Sequence, residues 1–296
     1  MLASKRDGSS VFATTILYAG VSAFAIACLL PFVVILAASL SEEHELVTHG
    51  YWFWPRLFSW AAYRTILSGS VEIAHAYLTT IVVTVVGTAL SVLMTLLMAY
   101  PLSRKAYKYR RPINFFMVIT LLFNGGMVPW YIVCTKILGL SNNYAALIVP
   151  YLLNAWYVFI LKSFLATISE SLEESARIDG AGNWKILFRI VFPLSLPGIA
   201  TIALFTSLGY WNDWWLALML TEGDKLVPLQ FYLMRIIQYV EFVKSNVDMR
   251  QFTSSNLPYE SIRMALCMLA IGPIIFAYPF FQRYFIRGLT VGSLKG

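Results

Sequence analysis

The apolar residues of this chain gather into long continuous windows at about 12–40, 73–102, 113–135, 144–166, 197–220 and 261–282. Each window reaches the roughly 20 residues that an α-helix needs to cross the hydrocarbon core of a bilayer. The runs are continuous and do not alternate, which predicts helices and not the strands of a barrel. The expected fold is all-α: a polytopic membrane protein with six transmembrane helices. Lys5 and Arg6 ahead of the first window imitate a secretory leader. The run from Val11 to Leu40 is far longer than the roughly 7–15 residues of a leader's core, so a retained span is expected.

Composition agrees with the pattern. Hydrophobic residues make up 59% of the 296 and charged residues 12%, against about 25% charged in soluble domains. Such a chain has too little charge to cover a water-facing globule. The net charge of +7 would suit a nucleic-acid binder, but the cations sit in short clusters between apolar runs, as in the cytoplasmic loops of membrane proteins. No nucleic-acid partner is expected. Cys28, Cys134 and Cys267 lie far apart in or beside apolar runs and form neither a disulfide framework nor a metal set.

The same clusters orient the chain. Arg104, Lys105, Lys108, Arg110 and Arg111 follow the second window, Lys5 and Arg6 precede the first, and Arg283, Arg287 and Lys295 follow the last. The stretch between the first two windows has "SEEHE" and only Arg56 and Arg64. Both termini and the 103–112 loop are thus expected in the cytoplasm, with 221–260 outside. The expected organisation is a cytoplasmic N-terminus over 1–10 and one transmembrane domain over 11–296. Trp52, Trp54, Trp60, Trp211, Trp214 and Trp215 then fall toward the outer side, where tryptophans anchor spans at the interface.

Motifs for chemistry are missing. There is no G-x-x-x-x-G-K-[ST], H-E-x-x-H or G-x-S-x-G, so neither an enzyme nor a nucleotide site is expected in this chain. Asp213 is the one acid well inside a window, fewer than ion-coupled carriers place in their spans. Energy for moving a solute would have to come from a partner.

A polar elbow, "SLEESARIDGAGNWKILFRIVFPLSLPG" from Ser171 to Gly198, interrupts the apolar chain. Ser171 and Glu174 have capping-box spacing and predict a short helix beginning there. The "DGAGN" turn comes next, then a second helix from Asn183 that Pro193 and Pro197 end. Taken physically, the elbow is a helix–turn–helix on the inner membrane surface. An ordinary amphipathic interfacial loop has the same features.

Its spacing carries more. Glu174-Ser175-Ala176, Gly180, Ile190, Phe192 and Pro193 resemble the E-A-A-x3-G-x9-I-x-L-P loop of permease subunits in binding-protein-dependent ABC importers, with Ser175 and Phe192 as departures. "AYPLSR" at 99–104, "FNGGMVPWY" at 123–131, "GYWNDWWLAL" at 209–218 and "VPLQ" at 227–230 are similar to a branch handling complex or acidic oligosaccharides, including lipo-oligosaccharide-type and alginate-importer permeases. The tail "FIRGLTVGSLKG" resembles that of the maltose importer's second permease subunit. The stretch 42–72 matches least.

The resemblance implies the type I importer architecture in a bacterial inner membrane. It also implies a second, different permease, two copies of an ATPase subunit that use ATP and Mg, and an extracytoplasmic binding protein that delivers an oligosaccharide. It implies that the loop 168–196 docks on the ATPase through Glu174, Ala176, Asp179, Gly180, Ala181, Asn183 and Trp184, and that Gly292, Ser293, Leu294 and Lys295 reach between the ATPase subunits. For the solute path the candidates are Asn124 at a helix-breaking "NGG", Asn154 with Trp156 and Tyr157, and Asn212 with Asp213. Helix kinks and interfacial anchoring are the simpler alternatives for the same residues.

Overall fold

The computed structural model describes residues 8–68, 70–223, 226–246 and 258–293. Helices cover every apolar window. The first and second windows are single helices, α1 (Gly8–Ser39) and α4 (Ser70–Ser103). The short α2 (Glu43–His49) and α3 (Ala61–Ser68) lie between them. Among the described residues, α1 and α4 are long and apolar enough to cross a membrane alone, and the total reaches five when three bent pairs each count as one.

The bends have local causes. The third window splits into α5 (Arg110–Leu122) and α6 (Met127–Ile132), and α6 continues as a π turn over Val133–Ile137. The two parts meet at 116°, where Asn124 Oδ1 accepts from the Gly126 N–H at 2.8 Å. The fourth window splits into α7 (Tyr144–Ile148) with a 3-10 turn through Tyr151, then α8 (Ala155–Leu165), bent by 54°. Asn154 supplies the restart, its side chain accepting from the Trp156 N–H at 2.9 Å. The elbow holds α9 (Glu170–Ile178), α10 (Asn183–Ile186) with a π turn through Val191, and α11 (Phe192–Leu194). An 80° bend at Ser195 leads into α12 (Leu196–Trp211). Then come α13 (Trp215–Leu220), α14 (Leu229–Asn246) and α15 (Tyr259–Ser293).

The chain divides into two compact units, residues 1–70 with 239–271 and residues 71–238 with 272–296. In the first, the Glu43 carboxylate caps the start of α15, accepting from the Glu260 N–H at 2.8 Å, the Ser261 N–H at 3.0 Å and the Ser261 hydroxyl at 3.1 Å. Tyr51 donates to Glu260 Oε2 at 2.9 Å. Burial, and then that bond, push the Tyr51 hydroxyl up to about 12, so it stays protonated as a donor.

The second unit has two apolar clusters. One joins Val83 of α4 to Leu147, Tyr210, Leu216 and Phe231. The other joins Leu96 and Leu102 of α4, Met117 of α5, Leu161 and Leu165 of α8 and Ile202 of α12. Ile186, Leu187 and Val191 of the elbow belong to this second cluster. One face of the elbow's second helix is therefore part of the core.

Candidate functional site

The elbow is built from its N-cap upward. Ser169, not Ser171, caps α9: its hydroxyl accepts from the Ser171 N–H at 3.3 Å. The capping box expected from Ser171 and Glu174 does not form. Within α9 it is Glu173 that faces the interior, where it is 4% exposed. Glu173 forms an ion pair with Arg104, itself 9% exposed at the end of α4, and accepts from the Tyr100 hydroxyl at 3.0 Å. Arg104 also donates to the Leu165 and Ile168 carbonyls at 3.3 and 3.4 Å. One guanidinium thus ties the end of α4, the end of α8 and the first helix of the elbow together.

The turn after α9 closes with two bonds: Gly180 N–H donates to Arg177 O at 3.0 Å and Ala181 N–H to Ala176 O at 2.9 Å. This is the Schellman arrangement, which needs a left-handed residue one past the C-cap. Gly180 supplies it at φ +80°. Ala176 and Ala181 pack against the second cluster, while Glu174, Asp179, Asn183 and Trp184 are exposed. Asn183 is the first helical residue of α10 rather than its cap, and Gly182 takes that place. The outer surface is partly apolar: Ile178 is 86% exposed, and Trp184 stacks on Phe188 with centroids 6.0 Å apart.

The candidate path residues are only partly gathered. A cavity of about 230 Å³ is lined by Tyr151, Asn154, Tyr157, Thr206, Gly209 and Tyr210, among others. The Tyr151 hydroxyl donates to Asp213 Oδ1 at 3.1 Å, and Asp213 Oδ2 accepts from the Leu216 N–H at 3.1 Å at the start of α13. The Tyr210 hydroxyl donates to the Ile148 carbonyl at 2.8 Å. A Cβ on Gly87 of α4 would lie 2.7 Å from the Tyr210 ring, so glycine lets α4 pack closely against the back of Tyr210. Among the described residues, the buried Thr206 hydroxyl has no hydrogen-bond partner. Asn154 and Tyr157 therefore belong to one site, with Asp213 behind Tyr151. Trp156 does not line the cavity, Asn124 stands at the α5–α6 break, and Asn212 bonds the Leu208 carbonyl and Gln230.

Sequence reasoning missed Arg104, Glu173, Tyr151, Thr206 and Tyr210. Local signals existed only for the first two, charged residues flanking apolar runs. Of the tail candidates, Gly292 and Ser293 end α15, whereas Leu294 and Lys295 lie outside the described residues.

Apolar helices, several broken inside the apolar windows, with an anchored polar elbow between the fourth and fifth windows, are what a membrane-embedded subunit would carry. The chain belongs to the family described as binding-protein-dependent transport system inner membrane component, whose profile matches residues 76–291. It is similar to the polygalacturonan/rhamnogalacturonan transport system permease protein YtcP of Bacillus subtilis (strain 168), 42% identical over 95% of this chain and 97% of that one. It is also similar to protein LplC of the same strain, 37% identical over 90% of each chain. Its fold resembles a chain from the crystal structure of a bacterial ABC transporter involved in the import of the acidic polysaccharide alginate, with a TM-score of 0.80 at 29% identity, covering 96% of this chain and 100% of that one.

Proposed function

We propose that this chain is one of two different membrane-spanning subunits of an importer that moves an oligosaccharide, an acidic one being the best match. An extracytoplasmic binding protein delivers the sugar, and two copies of a partner ATPase supply the energy from ATP and Mg. The observation that carries the reading is the elbow: its outer surface is exposed, yet its base is pinned to α4 and α8 by Arg104 and Glu173. A push on α9 would be passed to the spans and not absorbed by a loose loop. In this reading Glu174, Asp179, Gly180, Asn183 and Trp184 meet the ATPase, Ala176 and Ala181 seat the turn, and the tail from Gly292 to Lys295 reaches the same partner. Six spans put both termini and the elbow in the cytoplasm, with α15 as the sixth.

The 230 Å³ cavity is where this subunit would touch its cargo. Sugars present hydroxyls around an apolar ring face, and aromatic faces with single polar groups suit them. Tyr151 and Tyr157 supply the faces and Asn154 a polar group, with the buried Tyr210 and Thr206 behind them. The deciding experiment is oligogalacturonide and alginate-oligosaccharide uptake by vesicles carrying the full complex. Uptake is expected only with binding protein outside and ATP inside. Solute transport by this chain alone under an ion gradient would overturn the reading.

A further inference from the structure

The loop between α4 and α5 forms a basic groove that neither the elbow's outer surface nor the cavity uses. Lys105, Lys108, Arg110 and Arg111 line it with Asn114 of α5 and Lys162 of α8, around a concavity of about 810 Å³. Among the described residues, none of these five cations forms an ion pair with a carboxylate. Lys162 is held into the groove by its own contacts: Nζ donates to Asn114 Oδ1 at 2.6 Å and lies 5.3 Å from the Phe159 ring centre. Like charges drawn into one concavity repel one another, and an anion placed among them relieves that repulsion.

The rest of α5 narrows the kind of anion. The helix starts at Arg110 with its cations and its positive dipole end. Past Asn114 its exposed side chains turn apolar: Phe115, Phe116, Leu121 and Leu122 all stand open. Tyr107 and Tyr109 meet edge to face at 6.1 Å beside the cations, the aromatic-and-basic mixture that favours a membrane interface. A free anion would use only the first part of this surface, and an acidic protein segment would leave the second part bare. An amphiphile uses both.

We infer that the groove binds the phosphate of an anionic glycerophospholipid such as phosphatidylglycerol, with acyl chains along the apolar face of α5. The inference rests on the reading of α5 as membrane-embedded, but not on which end faces the cytoplasm or on what the protein transports.

The test uses the full chain in nanodiscs of phosphatidylcholine with a minority of phosphatidylglycerol in both leaflets, so the result does not depend on orientation. Native mass spectrometry reads the ratio of the two lipids retained on the released protein. Wild type is expected to retain phosphatidylglycerol preferentially, and Arg111→Gln/Lys162→Gln to lower that preference about five-fold per cation removed. The same charge loss at the outer-loop pair, Arg56→Gln/Arg64→Gln, should leave it unchanged, and millimolar inorganic phosphate should not displace the lipid. Lys105→Gln/Lys108→Gln, confined to the loop, gives the same reading if the first variant does not fold. Equal losses in the groove and outer-loop variants would overturn the inference, since only total charge would then matter. Displacement by inorganic phosphate would overturn it in favour of a free-anion site, and loss of the lipid when the ATPase subunits are added in favour of a protein surface.

Discussion

At Gly180 the constraint lies in the backbone and not in the surrounding space. A Cβ there would meet nothing within 4 Å, yet φ is +80°, a conformation that costs a side-chain-bearing residue about 1–2 kcal/mol. Gly180→Val should therefore leave the chain inserted and folded while loosening the two hydrogen bonds that close the turn. In the reconstituted complex, ATP hydrolysis is expected to continue without matching uptake. A fully coupled Gly180→Val complex would remove Gly180 from the coupling surface.

The Arg104–Glu173 pair behaves differently, because both groups are buried. Removing one partner leaves an uncompensated charge inside, at a cost of about 3–5 kcal/mol. Arg104→Met alone and Glu173→Leu alone should each lower the thermal unfolding midpoint of the solubilised chain strongly, and the double replacement should recover much of the loss. Uptake should stay low in the double variant even where stability returns, because the apolar pair no longer ties α9 and the Leu165 and Ile168 carbonyls to one guanidinium. Full uptake in a stable double variant would show that the pair serves folding alone.

Among the elements, the break between α7 and α8 borders the candidate cavity. A continuous helix satisfies its own backbone groups, whereas a break inside a membrane needs protein or water to do so. Asn154 meets that need at the start of α8 and also lines the cavity, so its two roles can be separated. Asn154→Ala should cost about 1 kcal/mol or somewhat more from the lost cap. Asn154→Ser keeps a cap of similar strength but shortens the group facing the cavity. If Asn154 touches the cargo, the serine variant will keep the unfolding midpoint and lose uptake affinity. Unchanged affinity in the serine variant would leave Asn154 a cap only.

The element scale also shows what was legible in advance. The apolar windows foretold α1 and α4 to within a few residues, because a long apolar run selects composition position by position, whereas α14 lies outside every window and α15 runs well past the end of the last one. The α5–α6 break was visible as "FNGG", whose asparagine and glycines disfavour a continuous helix. The bend at Asn154 and the start of α9 at Ser169 were not visible. Ser171 and Glu174 have the better local capping pattern, but α9 is capped earlier, at Ser169, and it is Glu173 that meets the distant Arg104.

For the whole molecule, the sequence by itself determined that this is a helical membrane protein, where its apolar segments lie, and which loop is the polar elbow. Each of these comes from composition and spacing read along the chain, and the family resemblance rests on the same linear spacing. Only the tertiary structure decided that Glu173 rather than its neighbour Glu174 is the buried anchor. Only it brought Tyr151, Asn154, Thr206 and Tyr210 to one cavity and Lys162 to the basic loop. Those groupings join residues dozens of positions apart, and an ion pair or a cavity wall is set by distance in space. The local pattern around any one of these residues is also that of a cap, a kink or an interfacial anchor, so the pattern alone could not choose between them.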